Sequence, residues 1–121
     1  MKRIAVTGGG NYADAAELDR ILTAVDKKHT IACLIQGGAP GADTLAADWA
    51  RERGIPVTTF PADWTTHGKA AGPIRNEKML REGDVHAVVA FKGRDGTQNC
   101  VDTARKMGIP VWEVPDREEK T

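Results

Sequence analysis

The chain has 121 residues, 17 basic and 17 acidic side chains and a formal net charge of zero. That length suits one domain with a real hydrophobic core, and the even balance of charge argues against a dedicated duplex-DNA or membrane-surface binder, which carries a basic excess. Hydrophobic residues at 40% and charged residues at 28% are the mixture of an ordinary folded domain and exclude a disordered chain.

The N-terminal "MKRIAVTGGG" passes from two basic residues straight into a short strand and a turn, without the pattern of a signal peptide. No apolar run approaches the length of a membrane span. The two cysteines lie far apart, and Cys33 falls inside an apolar run that predicts a buried thiol. The expectation is a reduced, cytoplasmic protein.

Short apolar runs then alternate with segments of helical period. "IAVT" (4–7), "IACLI" (31–35), "PVTTF" (56–60), "HAVVAF" (86–91) and "PVWEV" (110–114) read as strands. They are continuous rather than alternating, as expected when both faces of a parallel sheet are covered. Leu18, Ile21, Leu22 and Val25 form one stripe of an amphipathic helix between the first two strands. Leu45, Ala46, Trp49 and Ala50 mark a second helix, a shorter one starts near Pro73, and Val101, Ala104 and Met107 lie on one side of a fourth.

The junctions "ARERGIPV" (50–57) and "ARKMGIPV" (104–111) echo one another. Gly54 and Gly108 suit the left-handed residue just past a helix end, and Pro56 and Pro110 bar the helix from continuing. Alternating strands and helices with right-handed crossovers predict a single Rossmann-like three-layer α/β/α sandwich on a five-stranded parallel sheet, over residues 1–115. The tail "DREEKT" (116–121) is expected to be frayed.

In such sheets ligands bind beyond the carboxyl ends of the strands, near the point where strand order reverses. The segments that follow the first four strands are "TGGGNYAD", "QGGAPGAD", "PADWTTHGKAAGPIRN" and "KGRDGTQN", all on one edge. The opposite edge has only brief connections. Glycine lets the backbone approach a ligand and point N–H groups at an anion, and each loop runs into a helix start that favours negative charge. The alternative is that these glycines merely make tight turns. "GGAPGAD" lacks the Gly-Lys-Ser/Thr ending of a P-loop. "GGGNYA" has G-x-G-x-x-A spacing, but the second strand ends in Gln36 and Gly37 with no acid for a ribose, which argues against a dinucleotide dehydrogenase.

Taken in order, "VTGGGNYAD", "QGGAPGADTLAADWA", "FPADW", "GKAAGPIRNEKML" and "FKGRDGT" resemble the YspA-like, cpYpsA-related branch of the SLOG superfamily, over roughly residues 3–114. The resemblance implies a Rossmann-like fold that binds nucleotides or nucleotide-derived ligands. The superfamily includes the LOG phosphoribohydrolases and the DNA-processing protein DprA. LOG enzymes carry Pro-Gly-Gly-x-Gly-Thr-x-x-Glu with a catalytic glutamate. Here "KGRDGTQNC" puts Lys92 for the proline, Arg94 for the second glycine and Cys100 for the glutamate, while Gly96 and Thr97 are kept. Glycosidic cleavage needs a carboxylate, so LOG chemistry does not carry across unless Asp43 or Glu77 substitutes.

The candidate ligand-binding residues are therefore Thr7, Gly8, Gly9, Gly10, Gly37, Gly38, Gly41, Asp43, Trp64, Lys69, Arg75, Asn76, Gly96 and Thr97. Arg75 is out of place near the positive end of a helix, unless it binds an anion bidentately or pairs with Glu77 or Asp63. Asn76 can read a ribose or base edge. Asp43 caps its helix or binds ribose hydroxyls; Thr7 and Thr97 donate to phosphate or cap the helices that follow. Trp64 stacks on a base or closes its loop, Lys69 neutralises phosphate or is simply solvated, and Gln36 is a weaker candidate. His29, His67 and His86 show no metal-ligand spacing, so no metal and no cofactor are expected. Cys100, in a helix's first turn, has a lowered pKa or is packed. The expected function is binding of a nucleotide or derivative, ADP-ribose-like or a signal. N-glycosidic hydrolysis of a nucleoside 5'-monophosphate is the alternative, and DNA handling of the DprA kind the third reading. Trp112 and Val114 on an edge strand suggest a homodimer.

Overall fold

The computed structural model describes residues 1–115; the expectation of a frayed tail at 116–121 lies outside the described residues. Five strands, β1 (Lys2–Thr7), β2 (Ile31–Gln36), β3 (Val57–Thr59), β4 (Ala87–Ala90) and β5 (Val111–Glu113), form one sheet in the order β3-β2-β1-β4-β5. Every pairing is parallel; Ile4 stands opposite Leu34 on one side and Ala87 on the other. The chain runs outward from β1 to β3, then returns to β4 beside β1. Strand order therefore reverses between β1 and β4, and the Rossmann-like α/β fold follows as read from the sequence.

Side chains alternate across the pleat and so supply two cores. Ile4 and Val6 of β1 and Leu34 of β2 face α1 (Ala15–His29) and α2 (Ala42–Glu52), where Leu18, Leu22, Ala46, Trp49 and Ala50 are buried. Ala5, Cys33 and Ile35 face the other layer, α4 (Ala71–Glu82) and α5 (Asp95–Lys106), with Met79, Leu80, Cys100 and Ala104. Each helix buries one stripe, and together the two layers cover both faces of the sheet, which is why the strands read as unbroken apolar runs. Gly54 and Gly108 take φ of +70° and +76° just past the ends of α2 and α5, the left-handed conformation their positions called for.

Two expectations need correction. The segment after β3 is not a plain loop: it holds a short helix, α3 (Trp64–His67), and a 3-10 turn (Gly68–Ala70) that runs directly into α4. The sequence has no apolar period there to betray a helix of this length; Asp63 starts it by accepting Thr66 N–H at 3.0 Å. Consequently α4 begins at Ala71, before Pro73, and Arg75 lies a full turn inside it. Met107 is not on the buried side of α5: it caps the helix end and is exposed. Trp112 lies on the edge strand β5, half-buried and stacked on His29, with centroids 5.0 Å apart and planes at 22°.

Candidate functional site

At the carboxyl edge of the sheet, astride the β1/β4 reversal, lies a cavity of about 640 Å3. Its floor is made by the β1 exit, Thr7 to Gly10, and by the β4 exit, Lys92 to Thr97. Gly9 knots these loops together. Its N–H donates to the Lys92 carbonyl at 2.8 Å, and its carbonyl accepts from Ala42 N–H at 3.2 Å and Tyr12 N–H at 3.1 Å. Gly41, with φ +80°, brings the start of α2 so close that a Cβ there would overlap the Gly9 carbonyl. The glycines bring three strand exits within hydrogen-bond reach of one another.

A second knot stands on the wall formed by α2 and α4. The Asp43 carboxylate is almost fully buried and accepts Gly37 N–H at 3.1 Å and Ala39 N–H at 3.2 Å. It thus reaches back to hold the β2 exit. Burial pushes the Asp43 carboxyl above the usual carboxylate range, opposed by those amides and by the charge of Arg75. Arg75 turns away from both carboxylates considered for it. Its Nη1 donates to the Gly37 carbonyl at 2.7 Å and the Phe60 carbonyl at 3.3 Å, joining the β2 and β3 exits, and its Nε donates to Asn76 Oδ1 at 2.9 Å. Asn76 passes the chain of bonds on: its Nδ2 donates to Gly96 O at 3.2 Å and Asn99 Oδ1 at 3.0 Å. Arg75 and Asn76 both still line the cavity.

The start of α5 closes the far wall. Its N-cap position is Arg94, whose side chain makes no capping bond, so the first amides of the helix carry their partial positive charge toward the cavity. Thr97 stands in that first turn with only 9% of its surface exposed. Its hydroxyl occupies the space a Cβ on Gly93 would fill, lines the cavity, and bonds to no other described residue. One turn later the Cys100 thiol is buried and pushed up to about 11; desolvation dominates, against a bond with Thr7 and the charge of Arg75. Cys100 is therefore packed and neutral, and the alternative of a lowered pKa is set aside. Lys92 and Arg94 flank Gly93 and separate the main cavity from a smaller one of about 240 Å3.

Of the residues singled out in the sequence, Thr7, Gly8, Gly9, Gly10, Asp43, Trp64, Arg75, Asn76, Gly96 and Thr97 line the one cavity. Trp64 is 61% exposed at its mouth, with its ring over Gly72. Gly37, Gly38 and Gly41 are not on the lining: they shape the β2 exit behind it. Gln36 is also behind it, donating to Thr59 Oγ1 at 2.6 Å and accepting from Gly38 N–H. Lys69 is exposed on the 3-10 turn, off the cavity. Glu77 is corrected as a catalytic candidate: it sits on the outer side of α4, paired with Arg81. Among the described residues no group of three or more His, Cys, Asp or Glu is placed to hold a metal ion.

The sequence reading missed Asp14 and Glu17, which bring carboxylates to the opposite end of the cavity at the start of α1. The spacing D-x-x-E at 14–17 was the available signal, since it marks a helix start. Asp14 Oδ1 accepts Glu17 N–H at 3.0 Å, and Glu17 Oε1 accepts Arg20 Nε at 2.7 Å.

Comparison with known proteins agrees with this architecture. The chain belongs to the YspA, cpYpsA-related SLOG family, whose sequence model matches residues 2–67. The Gene 61 protein of Mycobacterium phage D29 is 36% identical over 124 residues, spanning 97% of this chain and 99% of that one. Among solved structures, DNA processing protein A from Streptococcus pneumoniae superposes with a TM-score of 0.76 at 17% identity, over 96% of this chain and 51% of that one. MurG from Acinetobacter baumannii superposes with a TM-score of 0.57 at 14% identity, over 93% of this chain and 34% of that one. This chain spans about half the length of the first of these structures and a third of the second, and at such identities the likeness is one of fold. No helix among the described residues is long and apolar enough to cross a membrane.

Proposed function

We propose that this member of the YspA, cpYpsA-related SLOG family holds a nucleotide or nucleotide-derived ligand in the cavity, with a phosphate seated at the start of α5. The observation that carries this reading is the nearly buried Thr97 hydroxyl, which packs against Gly93, makes no hydrogen bond to a described residue and stands beside the uncapped amides of α5. A phosphate oxygen accepts from that hydroxyl and from the helix amides together. The volume of about 640 Å3 falls in the range of small-molecule sites. Trp64 at the mouth offers an apolar face on which a base can stack.

Binding is favoured over hydrolysis of the glycosidic bond. Where LOG enzymes carry a glutamate this chain has Cys100, a buried neutral thiol that neither activates water nor steadies an oxocarbenium charge. Asp43 is engaged in holding the β2 exit, and Glu77 lies outside the cavity.

Thermal-shift titration with nucleoside mono- and diphosphates tests the proposal. Wild type should gain melting temperature with at least one of them, since a ligand that binds only the folded state stabilises it. Thr97→Val keeps the side-chain shape and removes the hydroxyl; it should weaken binding roughly tenfold. Arg75→Ala should weaken it as well, by loosening the wall. Absence of any shift across the series refutes the reading.

A further inference from the structure

The cavity is bipolar, and beyond its basic pole lies a second chamber. Asp14 and Glu17 stand at one end; Lys92, Arg94 and the open start of α5 stand at the other. Past Gly93 the smaller cavity of about 240 Å3 opens, and Lys92, Gly93, Arg94 and Thr97 line both chambers. Arg94 is exposed there and forms no ion pair or hydrogen bond with a described residue. Every other described arginine has such a partner, Arg3 and Arg75 in backbone carbonyls and the rest in carboxylates. The place is also unfavourable for a cation. As the N-cap residue of α5, Arg94 adds positive charge to the positive end of a helix dipole. Asp95, the acid next to it, lines neither chamber.

An anion reverses the sign of that cost, and a guanidinium meets the oxygens of a phosphate bidentately. The Thr97 hydroxyl and the first amides of α5 serve one phosphate in the reading above. We propose that Arg94 and the smaller cavity take a second phosphate joined to the first, so that the site selects nucleoside diphosphates over monophosphates. The inference rests on the nucleotide reading above and adds the phosphate count to it. Charge sets the direction of the ligand: the terminal phosphate lies toward Arg94, away from Asp14 and Glu17, whose carboxylates repel it. Between the two chambers the passage crosses Gly93, which has no side chain to obstruct it, and Lys92 adds positive charge on the other side of that glycine. In the smaller cavity Gln98 is bonded to Asp102 and Glu113 is paired with Arg105, so neither competes for Arg94.

The test is calorimetric titration of wild type, Arg94→Gln and Lys69→Gln with AMP, ADP and adenosine 3',5'-bisphosphate, and with the matching guanosine set. Wild type should bind the diphosphate roughly tenfold tighter than the monophosphate, and Arg94→Gln should reduce that preference to about twofold while changing monophosphate affinity by no more than about twofold. The bisphosphate carries its second phosphate on the sugar and should bind like the monophosphate. Lys69 is exposed on the 3-10 turn off the cavity, so its loss should leave the preference intact. Equal weakening of mono- and diphosphate in Arg94→Gln overturns the proposal. So does a bisphosphate that binds like the diphosphate, or a lost preference in Lys69→Gln, since either reduces the effect to overall charge. Equal binding of mono- and diphosphate by wild type overturns it too, whether or not a variant folds. If wild type binds none of these nucleotides, the nucleotide reading itself has failed and the inference falls with it; binding without preference for the diphosphate fails the inference alone.

Discussion

Arg75 joins two carbonyl oxygens from different strand exits, and its neighbour Asn76 carries the same chain of bonds to Gly96 in α5. Its oddity near a helix start was visible in the sequence, but its partners were not: Gly37 and Phe60 are distant along the chain and meet it only after the sheet has formed. Cys100 shows the same limit, because a first-turn cysteine reads equally as reactive or packed until its surroundings are known. Desolvation settles it. We expect a disulfide-exchange reagent to find neither Cys33 nor Cys100 in the native protein at neutral pH and both after denaturation, since both thiols are buried. The pH dependence has a definite sign. The Cys100 thiol is raised from 9.0 to about 11, so its stabilising contribution is complete below 9.0 and fades as pH climbs through about 11. Denaturant melts between pH 8 and 11 check this: Cys100→Ser should flatten the alkaline loss, and an unchanged slope would remove Cys100 as its source.

Strand exits and helix starts are the elements on which the cavity depends, and they tolerate change unequally. At Gly41 a side chain would meet the Gly9 carbonyl and would have to sit at φ +80°. Gly41→Ala should therefore cost more than about 1–3 kcal/mol and disturb the knot at Gly9. Gly96, in the first turn of α5, has nothing within 4 Å of where a Cβ would stand. Gly96→Ala should be neutral or add up to about 1 kcal/mol. Urea melts of the pair decide it, and equal losses at the two sites would contradict the geometry. Both glycines were legible as loop punctuation. Their different tolerance was not, because it depends on which other loop stands opposite. The short helix α3 escaped for another reason: four residues are too few to display a helical period, and only Asp63 marked its start.

The whole molecule sets the cavity by strand order. Because β4 returns beside β1, the segments after β1 and β4 become neighbours, while those after β2 and β3 are drawn in through Asp43, Arg75 and Trp64. The Streptococcus pneumoniae DNA processing protein shares the fold with half its length, but this chain balances 17 basic against 17 acidic residues. Duplex-DNA affinity driven by phosphate contacts requires a basic excess and falls steeply with salt. A mobility-shift assay should therefore find no salt-sensitive retardation of duplex DNA at micromolar protein; a shift that weakens as salt rises would favour nucleic-acid handling instead. The sequence by itself determined the sandwich, its two helix-to-strand junctions and the glycine-rich edge, because period, turn chemistry and apolar runs are local quantities. Only the tertiary structure decided which of those glycines face the cavity, that Glu77 and Lys69 stand outside it and that Glu17 stands within. Each of those outcomes depends on distances between segments far apart in the chain, and no local pattern encodes them.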